Sequence, residues 1–343
     1  MAEFLTVTGP RKIEFGEVKL PRIKPTQVRI KTLFSGISSG TEMTFYRGDN
    51  PFLKKAWDPE KRLFLDRQKE EQEHYPVRLG YESVGRIIEI GSKVENLRKG
   101  DIAVTYSNHQ SEVAVEAQYV YKLPPGLKPE EGLFLPLSVV AYTVILDARI
   151  VPGEIVAVFG MGVAGLLSLQ LAKLSGAREL IAVDLCENRL NLAKKYGADL
   201  LINPKTTKDV AFLVKEHTGN RGADAVVEIS GSARALGEAI RSAVFNGRVI
   251  VASFYGGQKA DILLGEEFHH NRIRLISSQS GGTNPEVGSA WTQDRKIQEA
   301  LEVLPRLKLK EMITHRIPFK DAGKAYDLLE KRPEEAVMVI LEY

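Results

Sequence analysis

The sequence predicts an α/β protein: a doubly wound parallel sheet with helices on both faces, joined to a β-rich unit that is discontinuous in sequence. Three observations predict it. Residues 155–184 run strand, glycine turn, helix, strand and acid in that order. Strand-like and helix-like runs alternate from Glu131 onward. The first third instead carries short strands punctuated by Gly and Pro, and a closing helix-and-strand pair at 321–329 and 336–341 returns to it.

The elements follow from local pattern. Residues 28–34 alternate and run into Ser35-Gly36, and 83–90 is a strand closed by Gly91-Ser92. Gly100-Asp101 turns the chain into 102–106, and 111–121 alternates loosely before Leu123-Pro124-Pro125-Gly126 ends the segment. This punctuation predicts a compact, barrel-like β unit. Residues 49–76 break the pattern, being dense in Lys, Glu, Arg and Asp with Phe52, Trp57 and Phe64 interleaved. They predict an inserted, partly helical lobe, either a solvated excursion or a lid or substrate wall. Further on, strands are expected at 155–159, 180–183, 201–202, 225–229, 248–252 and 273–277, with helices at 163–175, 187–196, 207–218, 232–244 and 295–305. The expected units are 1–134 with 284–343, and 135–283.

Gly160, Gly162 and Gly165 stand in G-x-G-x-x-G spacing between the apolar run 155–159 and the apolar helix 166–174. The first glycine permits the tight turn, the second lets a pyrophosphate approach the backbone, and the third lets helix and strand pack closely. Met161, Val163 and Ala164 fill the turn, whose N–H groups open the helix. Asp184 follows 24 positions after Gly160, near the spacing of a ribose-binding carboxylate. It favours NAD(H) over NADP(H), because a carboxylate repels a 2′-phosphate. Arg189 weakens that choice slightly; it either lies over the adenine or is solvated.

The 343 residues bound the answer to about two domains with ample core. Lys and Arg number 47 against 44 Asp and Glu, and no basic block points to nucleic acid. The single cysteine, Cys186, excludes an internal disulfide and a Cys-rich metal site, and fits a reducing cytoplasm. No signal peptide and no apolar run of membrane-spanning length are read from the sequence, so no membrane role is expected.

Beyond these patterns the chain resembles the medium-chain dehydrogenase/reductase superfamily, the zinc alcohol dehydrogenases and their relatives. The markers are Ser35-Gly36-Ile37-Ser38-Ser39-Gly40-Thr41-Glu42, Gly80-Tyr81-Glu82-Ser83-Val84-Gly85, Gly100-Asp101, the 160–184 fingerprint, and the closing Ile313-Thr314-His315-Arg316 to Ala325-Tyr326. The wording of the first two is most similar to the bacteriochlorophyllide dehydrogenase-like branch. The resemblance implies a Rossmann NAD-binding domain beside a GroES-like catalytic domain. It also implies a homodimer, or a dimer of dimers, joined through the edge strand at 273–277.

Departures from the pattern carry as much as the matches. Zinc members place a Cys in the Gly-Ile-Cys turn, a His in Gly-His-Glu and a third ligand near the domain junction. Here the first position is Ser38, the second is Tyr81, and Leu135-Pro136-Leu137-Ser138 offers none. Glu82 alone survives, and the four-cysteine structural lobe is absent. A catalytic zinc needs three strong donors, so no zinc is expected; the residual risk is a site drawing on His74, His109, Glu42 and Glu82.

Without a metal, a protein group must hold the reacting hydroxyl, and a positioned acid or base contributes about 10²–10⁴-fold. Tyr81 either donates to a carbonyl or packs as an aromatic; as a base it needs its pKa lowered. Glu82 orients Tyr81, binds substrate or forms a salt bridge behind the cofactor. Glu42 either faces the substrate or caps the following helix, and Ser38 hydrogen-bonds locally or touches substrate. His109, in the polar loop Ser107-Asn108-His109-Gln110, either exchanges the proton or is merely exposed. The adjacent His269 and His270 point apart and read as structural, as do His74, His217 and His315. Strand ends at Ser230, Ser253, Phe254 and Ser278 are expected beside the nicotinamide. The sequence therefore predicts a zinc-independent, NAD(H)-dependent oxidoreductase of a secondary alcohol, polyol, sugar-like or hydroxyethyl group. The alternatives are a zinc-free quinone or enoyl reductase and a catalytically silent NAD-binding protein.

Overall fold

Alternation in the first third becomes strand pairing in the computed structural model, which describes residues 1–67, 74–260, 262–282 and 284–343. β1 (Ala2–Gly9) and β2 (Lys12–Val18) form an antiparallel hairpin. β3 (Gln27–Ile37) is followed by a short helix, α1 (Glu42–Arg47), which ends on Gly48 at φ 86°. A second hairpin, β4 (Lys55–Asp58) and β5 (Leu63–Asp66), is expected helix turned strand. Among the described residues of this segment, only the 3₁₀ turn Pro51–Leu53 supplies helical backbone. The reason is local: Trp57 pairs with Phe64 across the strands, and their rings meet edge to face at 5.1 Å. Residues 68–73 of the expected lobe lie outside the described residues.

β3 then pairs antiparallel with both β6 (Glu82–Ile90) and β8 (Glu112–Glu116). β7 (Ile102–Thr105) and β9 (Val120–Lys122) extend the sheet beyond β6. Its apolar faces close over Val28, Ile30, Ile87 and Ala103 on one side and over Leu5, Val7, Met43 and Tyr326 on another.

The second unit is Leu135–Met312. It opens on α2 (Leu135–Ala148) and continues through β10 (Ile155–Phe159), α3 (Val163–Leu174), β11 (Glu179–Val183), α4 (Glu187–Lys195) and β12 (Leu200–Ile202). α5 (Val210–His217), β13 (Ala223–Glu228), α6 (Ala233–Ser242), β14 (Ala243–Val251), β15 (Arg274–Ser277) and α7 (Gln293–Val303) complete it. All six strands are parallel, in the order β12-β11-β10-β13-β14-β15. Counted within the unit this is 3-2-1-4-5-6, the doubly wound order whose ligand crevice opens at the carboxyl ends of β10 and β13. Every residue of β10 is buried, as the continuous apolar run required.

The first unit comprises Met1–Phe134 and Ile313–Tyr343. Its closing part is β16 (Ile313–Pro318), α8 (Ala322–Lys331) and β17 (Met338–Glu342), with β17 laid antiparallel on β3. The return thus falls at Ile313 and not at 284. Residues 284–312 stay with the second unit because they are tied to it. The Asn284 N–H donates to Asp147 at 3.1 Å, and the Lys296 ammonium to the carbonyls of Ser280 and Gly282 at 2.8 and 2.5 Å.

The helical path Pro129–Ala148, 20 residues, is long and apolar enough to cross a membrane by length and composition. Glu130, Glu131 and Asp147 lie within it. Most of the stretch is buried in the protein, as for a core helix.

Candidate active site

In the second unit the three fingerprint glycines are constrained differently. Gly160 sits at φ 100°, and a Cβ there would stand 2.6 Å from the Ser230 Cα. A Cβ on Gly165 would stand 1.8 Å from the Gly160 carbonyl oxygen, so helix and turn pack only through glycine. A Cβ on Gly162 would meet nothing within 4 Å. The open glycine is the one at which the sequence places the pyrophosphate. The first intrahelical bond of α3 is from Leu166 N–H to the Gly162 carbonyl at 2.9 Å. The N–H groups of Val163, Ala164 and Gly165 therefore have no intrahelical acceptor, and they carry the positive end of the helix dipole.

Asp184 closes the same turn. Its Oδ2 accepts from the Met161 N–H at 2.6 Å and its Oδ1 from the Cys186 N–H at 2.8 Å. Each oxygen keeps a lone pair for a ribose hydroxyl. Arg189 lies one turn into α4, its backbone N–H bonded to the Asn188 side chain at 2.9 Å.

At the ends of the next strands, Ser230, Ser253 and Ser278 follow β13, β14 and β15. Ser230 bonds Glu228 through its N–H at 2.9 Å and through its hydroxyl, and Tyr255 donates its hydroxyl to the same carboxyl. Burial pushes the Glu228 carboxyl up, against the downward pull of those donors. Ser278 donates its N–H to the Val251 carbonyl at 2.9 Å, and Phe254 is exposed. Tyr255 had no signal in the sequence; it stands in an irregular loop after β14 and meets Glu228 only through the fold.

The first unit gathers the other candidates. Gly80, at φ 103°, leaves no room for a Cβ, which would stand 2.7 Å from the His109 amide nitrogen. This close approach seats the 107–110 loop against Gly80-Tyr81-Glu82, with the His109 N–H on the Leu79 carbonyl at 2.8 Å. Tyr81 donates its hydroxyl to Ser38 Oγ at 2.5 Å. Burial, followed by the charges of Glu82 and Glu42, pushes the Tyr81 pKa far above its ordinary value. Tyr81 therefore rests protonated, as a donor; the base role considered from sequence requires it to give up that proton against burial and two neighbouring carboxyl groups.

Glu82 corrects its expectation too. It is fully buried, neither oxygen has a hydrogen-bond partner, and among the described residues it forms no salt bridge. Burial and then Glu42 drive its pKa well up. The space it occupies exists because its cross-strand partner is Gly36; a Cβ there would stand 2.3 Å from Glu82 Oε2.

His109 is not an exposed loop histidine. It is fully buried, with Nε2 on Glu42 Oε2 at 2.8 Å and Nδ1 on Ser35 Oγ at 2.7 Å. A carboxylate only accepts, so Nε2 carries a proton. Glu42 also accepts the Tyr326 hydroxyl at 2.6 Å, and its Oε1 reaches back to the Ser38 N–H at 2.9 Å. Ser35 meets the Tyr343 hydroxyl at 2.9 Å. Ser35, Tyr326 and Tyr343 escape a reading of the sequence because they are brought in by strand pairing and by α8, far along the chain.

Comparison with known proteins agrees with this architecture. The zinc-binding dehydrogenase family profile matches residues 163–295. A D-guloside 3-dehydrogenase of Escherichia coli (strain K12) is 29% identical, the match covering 97% of each chain. An (R,R)-butanediol dehydrogenase of Bacillus subtilis (strain 168) is 28% identical over 77% of this chain and 78% of its own. The crystal structure of 2R,3R-butanediol dehydrogenase from Bacillus subtilis superposes with a TM-score of 0.81 at 22% identity, covering 100% of both chains. Together with the doubly wound sheet and its glycine turn, these similarities support the medium-chain dehydrogenase/reductase superfamily.

Proposed function

We propose that this chain is a zinc-independent, NAD(H)-dependent oxidoreductase acting on a secondary hydroxyl of a polyol or sugar-like substrate. The observation that carries the reading is the Tyr81–Ser38 hydroxyl pair, 2.5 Å apart, at the two positions where zinc members hold metal ligands. Substrate class is supported by the relatives named for a guloside and a butanediol. Cofactor choice is supported by Asp184, whose negative charge at the glycine turn disfavours a 2′-phosphate.

The donor set argues against zinc on its own chemistry. Ser38 and Tyr81 are hydroxyls bonded to each other, while Glu42 and His109 are spent on one another. Glu82 is left with unpartnered oxygens, and one carboxylate does not make a tetrahedral site. No cluster of three or more His, Cys, Asp or Glu suited to a metal occurs among the described residues.

Nicotinamide, when bound, accepts or returns the hydride. The chain's own residues handle the rest. In ketone reduction Tyr81, kept protonated by burial, turns its O–H from Ser38 to the carbonyl oxygen and gives it the proton as hydride reaches the carbon; the tyrosinate left behind accepts the Ser38 O–H and is reprotonated from solvent. In alcohol oxidation the same pair runs in reverse. We take the enzyme to work as a cytoplasmic homodimer, consistent with its single cysteine and the exposed edge of β15.

The test is turnover on methyl glucosides, glucitol and butane-2,3-diol with each cofactor. Expected are a kcat/KM at least about tenfold higher with NAD⁺ than with NADP⁺, and a kcat lowered at least about tenfold by Tyr81→Phe. An NADP⁺ preference, or a Tyr81→Phe enzyme of undiminished kcat, would contradict the proposal.

A further inference from the structure

Behind Tyr81 the first unit buries a polar cluster that the proton and hydride chemistry leaves unused. Glu42, His109, Ser35 and Tyr326 are each 0–2% exposed. Three segments distant in sequence converge on Glu42: the turn after β3, the 107–110 loop and α8. Buried polar clusters of this kind are often replaceable by apolar side chains without loss of stability. Its geometry has a more specific consequence.

Glu42 divides its two oxygens. Oε2 takes the His109 Nε2 and Tyr326 donors, at 2.8 and 2.6 Å. Oε1 takes the Ser38 N–H at 2.9 Å, and the Ser38 carbonyl accepts the Glu42 N–H at 3.0 Å. Ser38 is thus held at both of its backbone polar groups by one residue, and that residue is itself fixed from two sides. The side chain left to Ser38 is the hydroxyl that receives Tyr81.

We propose that Glu42, His109 and Tyr326 are positioning residues: a buried clamp that holds the Ser38 hydroxyl where it aims Tyr81 at the substrate oxygen. The inference rests on Tyr81 being the proton donor. It assigns no proton of the reaction to His109. It separates four of the candidates: Tyr81 meets the substrate, Ser38 aims it, and Glu42 and His109 act through Ser38.

Two substitutions at His109 separate geometry from proton transfer. His109→Gln keeps an N–H for Glu42 and an acceptor for Ser35, whereas His109→Leu keeps bulk and neither bond. The full-length protein is assayed with NAD⁺ and methyl α-glucopyranoside, and amide exchange is followed in residues 36–45. For His109→Leu the expected result is a kcat down about 10–100-fold, a KM within about threefold, and faster exchange at the Ser38 amide. His109→Gln restores both to near the wild-type values with the pH profile unchanged. The proposal is overturned if His109→Leu leaves kcat or exchange as in the wild type. It is equally overturned if His109→Gln falls as far as His109→Leu and loses a limb of the pH profile, since His109 would then carry a proton. If His109→Leu does not fold, Tyr326→Phe, which removes one donor to Glu42 and keeps the ring, is expected to lower kcat and speed exchange in the same sense; no change in either overturns the clamp. The exchange measurement needs no turnover. A wild type inert on every substrate tried would sink the Tyr81 reading, while exchange would still decide the clamp.

Discussion

Glu82 is a costly side chain to bury. A carboxyl buried beside Gly36 with no partner bears its full desolvation penalty when charged, and Glu42 adds a like charge nearby. Its folded pKa lies above its unfolded value, so the folded state holds the extra proton. Stability from this group is present below the unfolded pKa and is lost as pH rises towards the folded one. Each pH unit in that window costs about 1.4 kcal/mol. Glu82→Gln removes the titration, so its melting temperature relative to the wild type is expected to climb as pH rises above the ordinary carboxylate range. Parallel melting curves above that range would show that Glu82 is not held protonated. This burial was invisible in the sequence, where Gly-Tyr-Glu-Ser-Val-Gly names the residue without naming its surroundings. The His109–Glu42–Tyr326 contacts were equally hidden, because they join residues 67 and 284 positions apart. The nucleotide glycines and Asp184 were legible, because their contacts fall within one strand–turn–helix–strand unit.

Among the elements, the turn between β10 and α3 makes two glycines do different jobs, and substitution separates them. Gly162 has an ordinary φ of −70° and open space, so Gly162→Ala is expected to fold with stability equal to the wild type or about 0.4–1 kcal/mol higher. Its methyl occupies the approach to the helix N-terminus, so NAD affinity falls at least about tenfold. Gly165→Ala places its Cβ on the Gly160 carbonyl and should cost about 1–3 kcal/mol or more. Thermal melts and NAD titrations check both; normal NAD binding by Gly162→Ala would remove the pyrophosphate from this turn. The hairpin at 55–66 shows where element reading failed. Its charged residues suggested a solvated, partly helical lobe, but the deciding signal was the short period-2 pattern around Trp57 and Phe64. Helix α7 was placed well in sequence but assigned to the wrong unit, because bonds such as Lys296 to the Ser280 carbonyl leave no local mark.

For the whole molecule, each unit is marked by its own chemistry. The second unit carries a nucleotide turn with a carboxylate at its ribose position, and the first carries hydroxyls where relatives in the superfamily carry metal ligands. A metal normally polarises the carbonyl and stabilises the alkoxide; in the function proposed above the Tyr81 hydroxyl takes that part. The most direct measurement is zinc content and turnover on one sample, before and after exhaustive chelation. If Tyr81 acts without a metal, zinc content is far below one per chain and kcat is unchanged by the chelator. Stoichiometric zinc, with activity lost on its removal and recovered on its return, would contradict it.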